Sequence, residues 1–101
     1  MTRDVVFTPR AIDDVEGASA WYNEQRPGLA VRFRAALDEV LQQVQRNPEM
    51  FELVHEAVRR GILRRFPFCI YFRLEDNRIV ILGVIHTSRS EEVWKSRVSK
   101  N

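Results

Sequence analysis

Apolar residues recur along this chain with three different spacings, and each spacing predicts a different kind of element. The first stretch, Arg3–Phe7 (RDVVF), is short and β-branched, which predicts a strand. After it Ile12, Val15, Ser19 and Tyr22 follow at three- to four-residue spacing, flanked by Ala11 and Ala18, so one stripe of a helix is expected to be buried. Thr8 suits the N-cap and Pro9 the first helical position, while Gly17 weakens the helix by about 1 kcal/mol against alanine. The Arg-Pro-Gly at 26–28 breaks the chain. A stronger helix is predicted from about Leu29 to Arg46, with Ala30, Phe33, Leu37, Val40/Leu41 and Val44 on its apolar face. Pro48 closes it, and the two helices read as an antiparallel hairpin.

Pro48–Val58 mixes its signals and is read as a loop with at most one helical turn. The spacing then shifts to two. Arg59–Phe66, Phe68–Leu74 and Arg78–Thr87 read as three strands, separated by Pro67 and by the turn residues Asp76-Asn77. A two-residue turn there sets Leu74 against Ile79, Phe72 against Ile81, Ile70 against Gly83 and Phe68 against Ile85, on one nearly all-apolar face. That face is expected to lie under the helical hairpin. The opposite face carries Cys69, Tyr71 and Arg73 beside Val80, Leu82, Val84 and His86, so the last strand is expected to be central. A short helix over SRSEEVWKSRV, capped by Ser88 or Ser90 and presenting Val93, Trp94 and Val98, is expected to cover that second face. The fold class is therefore α+β, in the order β-α-α-β-β-β-α, with an antiparallel meander sheet, a helical hairpin on one face and a short C-terminal helix.

Composition narrows the function classes. The chain has 101 residues, enough for one core, and is read as a single domain over 1–101. No stretch reaches the roughly 18 apolar residues of a membrane helix. The N-terminal MTRDVVFTP has no apolar signal core, and one cysteine, Cys69, cannot form an internal disulfide; a cytoplasmic protein is expected. The net charge of +2 is unevenly placed. Residues 1–58 hold six Arg against ten Asp/Glu, a net of −4; residues 59–101 hold ten Arg/Lys against four Asp/Glu, a net of +6. A basic surface in the C-terminal half, able to attract an acidic partner or nucleic acid, is implied. Fourteen of the sixteen basic residues are Arg, which suits bidentate contact with carboxylate or phosphate.

The order strand, helical hairpin, meander, short helix, together with FTPRAIDDV and RRGILRRFPFCIYFRLEDNRIVILGVIHTSR, resembles the ParE/RelE superfamily of bacterial toxins. The resemblance covers nearly the whole chain and implies a cytoplasmic toxin neutralised by a cognate antitoxin. It also implies one of two activities: poisoning of DNA gyrase, as in ParE, or ribosome-dependent cleavage of mRNA, as in RelE. Fold alone does not choose between them. RNA cleavage needs a base, an acid and cations for the developing charge. Carried across strand by strand, the RelE-like arginine after the last strand falls at Arg89 and the second-strand lysines at Arg60 and Ile62. The third-strand arginine falls at Cys69, and the C-terminal tyrosine at Trp94, with a one-residue shift. Neither a thiol nor an indole supplies what those positions need.

Histidine is a residue type suited to acid–base work, but His86 sits at a strand end opposite Pro67 and is read as bonding the turn. His55 is read as solvated, Cys69 as a core thiol, Ser88 as a cap, and Trp21 as packing. The resulting expectation is a ParE-like binding toxin without catalytic residues, metal or cofactor. Arg60, Arg64, Arg65, Arg89 and Trp94 form the expected target-binding patch; the corresponding expectation for Arg64 or Arg65 is that one merely solvates a strand edge. The alternative is an mRNA endonuclease using His86, Arg89 and Arg60.

Overall fold

The computed structural model describes residues 3–99, apart from the side chains of Ser90, Val98 and Ser99. Its elements are β1 (Asp4–Phe7), α1 (Pro9–Gln25), α2 (Leu29–Arg46), β2 (Glu52–His55), β3 (Val58–Ile62), β4 (Phe68–Leu74), β5 (Arg78–His86) and α3 (Ser90–Ser99). The α+β class and the helical hairpin are as the sequence predicts. The sheet has five strands in the order β1-β5-β4-β3-β2, so β5 is an interior strand between β1 and β4, and β4 is the middle one.

The sheet is mixed rather than a pure antiparallel meander. Strand β1 runs parallel to β5, from Asp4 beside Arg78 to Phe7 beside Ile81. The α1–α2 hairpin carries the chain away and back before the meander begins, and β1 then occupies the free edge of the last strand. The segment read as a loop also holds a strand. After a single 3-10 turn at Pro48–Met50, β2 pairs antiparallel with β3, Glu52 opposite Arg60. Its pattern is weak because β2 is an edge strand of four residues with Glu52, Leu53 and His55 exposed. Strand β3 ends at Ile62, short of the expected Phe66. The chain must reverse before β4 starts at Phe68, and it does so through Arg65 at a φ of 69° and a bond from Phe68 N–H to the Phe66 carbonyl at 2.8 Å.

Capping at the start of α1 follows the sequence: the Thr8 hydroxyl accepts from Ala11 N–H at 3.1 Å. Gly28, at φ 90°, makes the left-handed turn into α2 that other residues resist. Phe33, Leu37, Val40 and Val44 of α2 and Ala11 and Tyr22 of α1 pack on Ile70, Phe72, Ile79 and Ile81. Tyr22, Phe33, Phe66 and Phe68 form an aromatic cluster with centroids 5.1–6.0 Å apart, edge-to-face in every pair but Tyr22–Phe33, which is tilted.

The predicted β4–β5 register holds at its turn end, where Leu74 faces Ile79 and Phe72 faces Ile81. A bulge between Tyr71 and Phe72 then inserts one residue on β5, so that Ile70 faces Val84 and Phe68 faces His86, not Gly83 and Ile85. The slip turns Val84 onto the hairpin side and Ile85 onto the other face, where it joins Cys69, Tyr71, Val80, Leu82 and Trp94. Helix α3 closes this second layer, as expected, through Val93 and Trp94. The expected cap at Ser90 and the apolar position at Val98 lie outside the described residues. The other cap candidate, Ser88, has a different partner: its N–H and hydroxyl both meet His86 Nδ1. The Arg89 carbonyl accepts the first helical bond, from Val93 N–H at 3.3 Å.

Candidate functional site

Past the end of β1, the β5 edge has backbone groups that no strand satisfies. Strand β1 stops at Phe7, and Thr8 N–H makes the last bond on that side, to the Ile81 carbonyl at 3.1 Å. Beyond it, Val84 N–H donates to Asp14 of α1 at 2.9 Å, and the Leu82 carbonyl accepts from Arg97 of α3 at 3.0 Å. Asp14 and Arg97 also pair with each other through both carboxylate oxygens, with side chains 17% and 14% exposed. The two helices on opposite faces are thus joined around the edge of the sheet. Gly83 makes room for this: a Cβ there would stand inside the radius of Arg97 Nη1 and 2.9 Å from Ile85 Cδ1.

On the α3 face an open groove of about 910 Å³ is lined by Glu52, Arg60, Ser88, Arg89, Trp94 and Lys95, among others. Strand pairing positions Arg60, since β2 sets Glu52 directly opposite it, and Arg60 Nη2 reaches Glu52 Oε1 at 2.6 Å. That bond comes first among the causes that raise the Arg60 pKa further. Beneath lies Tyr71, fully buried, with its hydroxyl turned toward the Arg60 guanidinium and the Cys69 thiol. The Trp94 ring stacks on Tyr71 with centroids 5.8 Å apart and stands 5.5 Å from the His55 ring. At 5% exposure Trp94 is chiefly a packing residue that shows one edge to the groove. Cys69 is buried in the same layer; burial pushes its thiol pKa up, with the Arg60 charge pulling the other way.

A second cavity, of about 600 Å³, opens between α1 and α3 and is lined by Trp21, Phe68, Ile85, His86 and Val93, with Ser88 and Arg89 also on its wall. His86 belongs here. Its ring packs edge-on against Phe68 at 5.3 Å, and Nδ1 accepts the Ser88 N–H at 3.1 Å, so that a proton on the neutral ring sits on Nε2. Thr87 N–H bonds the Pro67 carbonyl at 2.8 Å, which fixes the strand end to the β3–β4 loop. Arg64 and Arg65 are elsewhere again. Both are exposed beside α2, over a groove with Leu29, Ala36 and Phe66, and Arg64 stands 3.7 Å from Glu39.

Of the five predicted target-binding residues, Arg60, Arg89 and Trp94 therefore share one groove, and Arg64 and Arg65 share another. The three residues of the nuclease alternative divide between two cavities: Arg60 lines one, His86 the other, and only Arg89 lines both. Asp14, Arg97, Glu52 and Gly83 are structurally central and were not singled out by the sequence. Asp14 and Arg97 are 83 positions apart, and each reads as an ordinary helix-surface charge. Among the described residues no cluster of His, Cys, Asp and Glu could hold a metal, and no helix is long and apolar enough to cross a membrane.

The two grooves meet at a strand–helix junction, on an α1–α2 hairpin packed over a five-stranded sheet. Several solved structures share this fold, three of them as follows. One is from the chromosomal ParDE toxin–antitoxin system of P. aeruginosa: 21% identity, 84% of this chain and 96% of that chain, TM-score 0.74. The second is an arginine-to-alanine mutant of E. coli toxin RelE in the free state: 18% identity, 99% and 98% coverage, TM-score 0.70. The third is the RelBE2 toxin–antitoxin complex of Mycobacterium tuberculosis: 22% identity, 85% and 99% coverage, TM-score 0.59. No curated protein sequence matches the chain. The family model that describes the ParE toxin of the type II toxin–antitoxin system parDE matches residues 5–91, and the chain belongs to that family.

Proposed function

We propose that this toxin acts by binding DNA gyrase, and that a cognate antitoxin holds it inactive until then. The observation that carries the binding reading is the division of the chemistry-bearing groups between two cavities. An RNA-cleaving site needs its base, acid and cations around one phosphate, within hydrogen-bond reach. Here His86 and Arg60 line different cavities, Arg60 is tied to Glu52, and the positions of two further RelE-like groups hold a buried thiol and a buried indole. The ParE family match supports gyrase as the target, and the ParDE and RelBE2 neighbours, both toxin–antitoxin systems, support the antitoxin. The basic C-terminal half favours an acidic antitoxin segment, with affinity that falls as salt rises.

The test compares two assays with the purified toxin. Stabilised gyrase–DNA cleavage complexes or loss of supercoiling, with intact mRNA on programmed ribosomes, is the expected result. Ribosome-dependent mRNA cleavage that disappears in His86→Gln overturns the proposal in favour of the endonuclease.

A further inference from the structure

The cavity between α1 and α3 has the makings of an anchor pocket. Its volume of about 600 Å³ lies in the range of pockets that hold ligand groups, and most of its surface is apolar. Phe68, Ile85, Ala18 and Val93 supply apolar lining. Trp21 stands at the edge with 56% of its surface in water. Its only ring contact among the described residues is edge-on to Tyr22 at 5.1 Å, and the rest of the indole is open to an incoming group. A large aromatic left exposed beside an apolar hollow is the arrangement that carries binding energy at protein interfaces.

Polar groups gather on one side of the opening. With Nδ1 of His86 taken by Ser88, Nε2 is left as a donor. Arg89 is exposed and has no ion-pair partner among the described residues. The carboxylate lining the same cavity, Asp14, is already held by Arg97 and Val84. Among the described residues that line this cavity there are therefore an arginine and a histidine donor beside an apolar hollow, and no carboxylate besides the paired Asp14.

We infer that this cavity receives a bulky apolar side chain from a segment of a bound protein, and that Arg89 pairs with a carboxylate on the adjoining residue. A protein segment fits better than a free metabolite because Ser88 and Arg89 line both cavities. A chain anchored beside Trp21 passes over Arg89 and continues toward Arg60. This rests on the reading of the toxin as a protein that acts by binding, and it specifies the chemistry of what is bound.

The experiment uses the full chain, isotope-labelled, with the capped dipeptide N-acetyl-Phe-Asp-amide as probe. N-acetyl-Phe-Lys-amide and N-acetyl-Ala-Asp-amide are the comparators. Saturable shifts of the Trp21 indole N–H and of the Ile85 and His86 amides are expected with Phe-Asp. Affinity is expected to fall roughly tenfold or more without the Phe ring, and about threefold without the acid or in Arg89→Ala. Ala18→Trp, which fills the hollow, abolishes binding. Trp21→Ala, at an exposed position where folding is kept, weakens it as read at Ile85. Absence of saturable shifts overturns the inference, as do equal affinities for Phe-Asp and Ala-Asp. Shifts centred on Arg60 instead of Trp21, or resonances of the free chain that move with its own concentration to show a second copy in the cavity, overturn it as well. The dipeptides need no gyrase, so failure here is distinguishable from failure of the supercoiling assay.

Discussion

Replacing Arg97 with alanine isolates the contribution of the clamp around the sheet edge. Three things change at once. The Leu82 carbonyl loses its donor at 3.0 Å, and the Asp14 carboxylate loses both guanidinium bonds while keeping only Val84 N–H. The layer between α3 and β5 also loses the aliphatic stem. An unpartnered buried carbonyl costs about 1–3 kcal/mol, and stranding one member of a buried ion pair about 3–5 kcal/mol. Asp14 keeps 17% of its side-chain surface in water, which pulls the total toward the lower bound. A loss of about 3 kcal/mol is expected, or a fall in Tm of about 12 °C or more for a domain of this size. Urea unfolding of Arg97→Ala, Asp14→Ala and the double variant measures it. Once one partner is gone, removing the second should cost little, so the two single losses are expected to exceed the double by about 1.5 kcal/mol or more. A loss below about 1 kcal/mol for Arg97→Ala, the scale of a surface pair, would refute the reasoning, and so would strict additivity.

Gly83→Ala is expected to displace the Arg97 guanidinium and to lose stability in the wild-type background but much less in Arg97→Ala; equal losses in both would disconnect the glycine from the clamp. His86→Gln is expected to leave toxicity proportional to the folded fraction, whereas loss of a general acid or base would cut activity by roughly 10²–10⁴; growth arrest measured beside thermal melts separates the two. Hydrogen bonds from Arg78 and then Arg73 hold the Glu75 carboxyl below the usual glutamate range. Its contribution is therefore full above the unfolded pKa of about 4.3 and disappears as pH falls through the lower folded value. Urea midpoints of Glu75→Gln should lie below wild type at pH 7 and converge with it in acid. Thr8→Ala is expected to cost about 1 kcal/mol through the lost cap at Ala11 N–H.

The helices were legible because their signals are local. Thr8-Pro9 marks a start, Arg-Pro-Gly a break, and the stripe from Phe33 to Val44 an inward face. The hairpin at Asp76-Asn77 was legible for the same reason, and its register is right for the two pairs next to the turn. It then slips by one residue because a bulge has no sequence rule strong enough to announce it: Leu82, Val84 and Ile85 are all apolar, and any of them satisfies either buried layer. Strand β2 was hidden by its exposure, and the parallel pairing of β1 because nothing in Arg3–Phe7 specifies which edge it joins. At the site, one patch of five residues was expected; Arg60, Arg89 and Trp94 line one groove, and Arg64 and Arg65 line another. Resemblance gave no warning that His86 opens on a different cavity, since a single residue of register decides which way a strand-end side chain points. The Asp14–Arg97 clamp was illegible in principle, as neither residue has a local pattern that distinguishes it from a solvated charge.

The parallel pairing of β1 with β5 has a consequence for how this toxin comes into being. Asp4 and Arg78 lie 74 positions apart, and closing that loop costs about 2.5 kcal/mol more than closing a four-residue turn. More important is the order of synthesis. The first strand to leave the ribosome joins only the last strand to be made, and α1 packs against that same strand. Until β5 has emerged, β1 has no partner and the apolar face of the helical hairpin has only part of its floor. The clamp that joins α1 to α3 waits longer still, for Arg97. A nascent chain therefore lacks the complete sheet until β5 has been made, and lacks the clamp between its outer helices until Arg97 has followed.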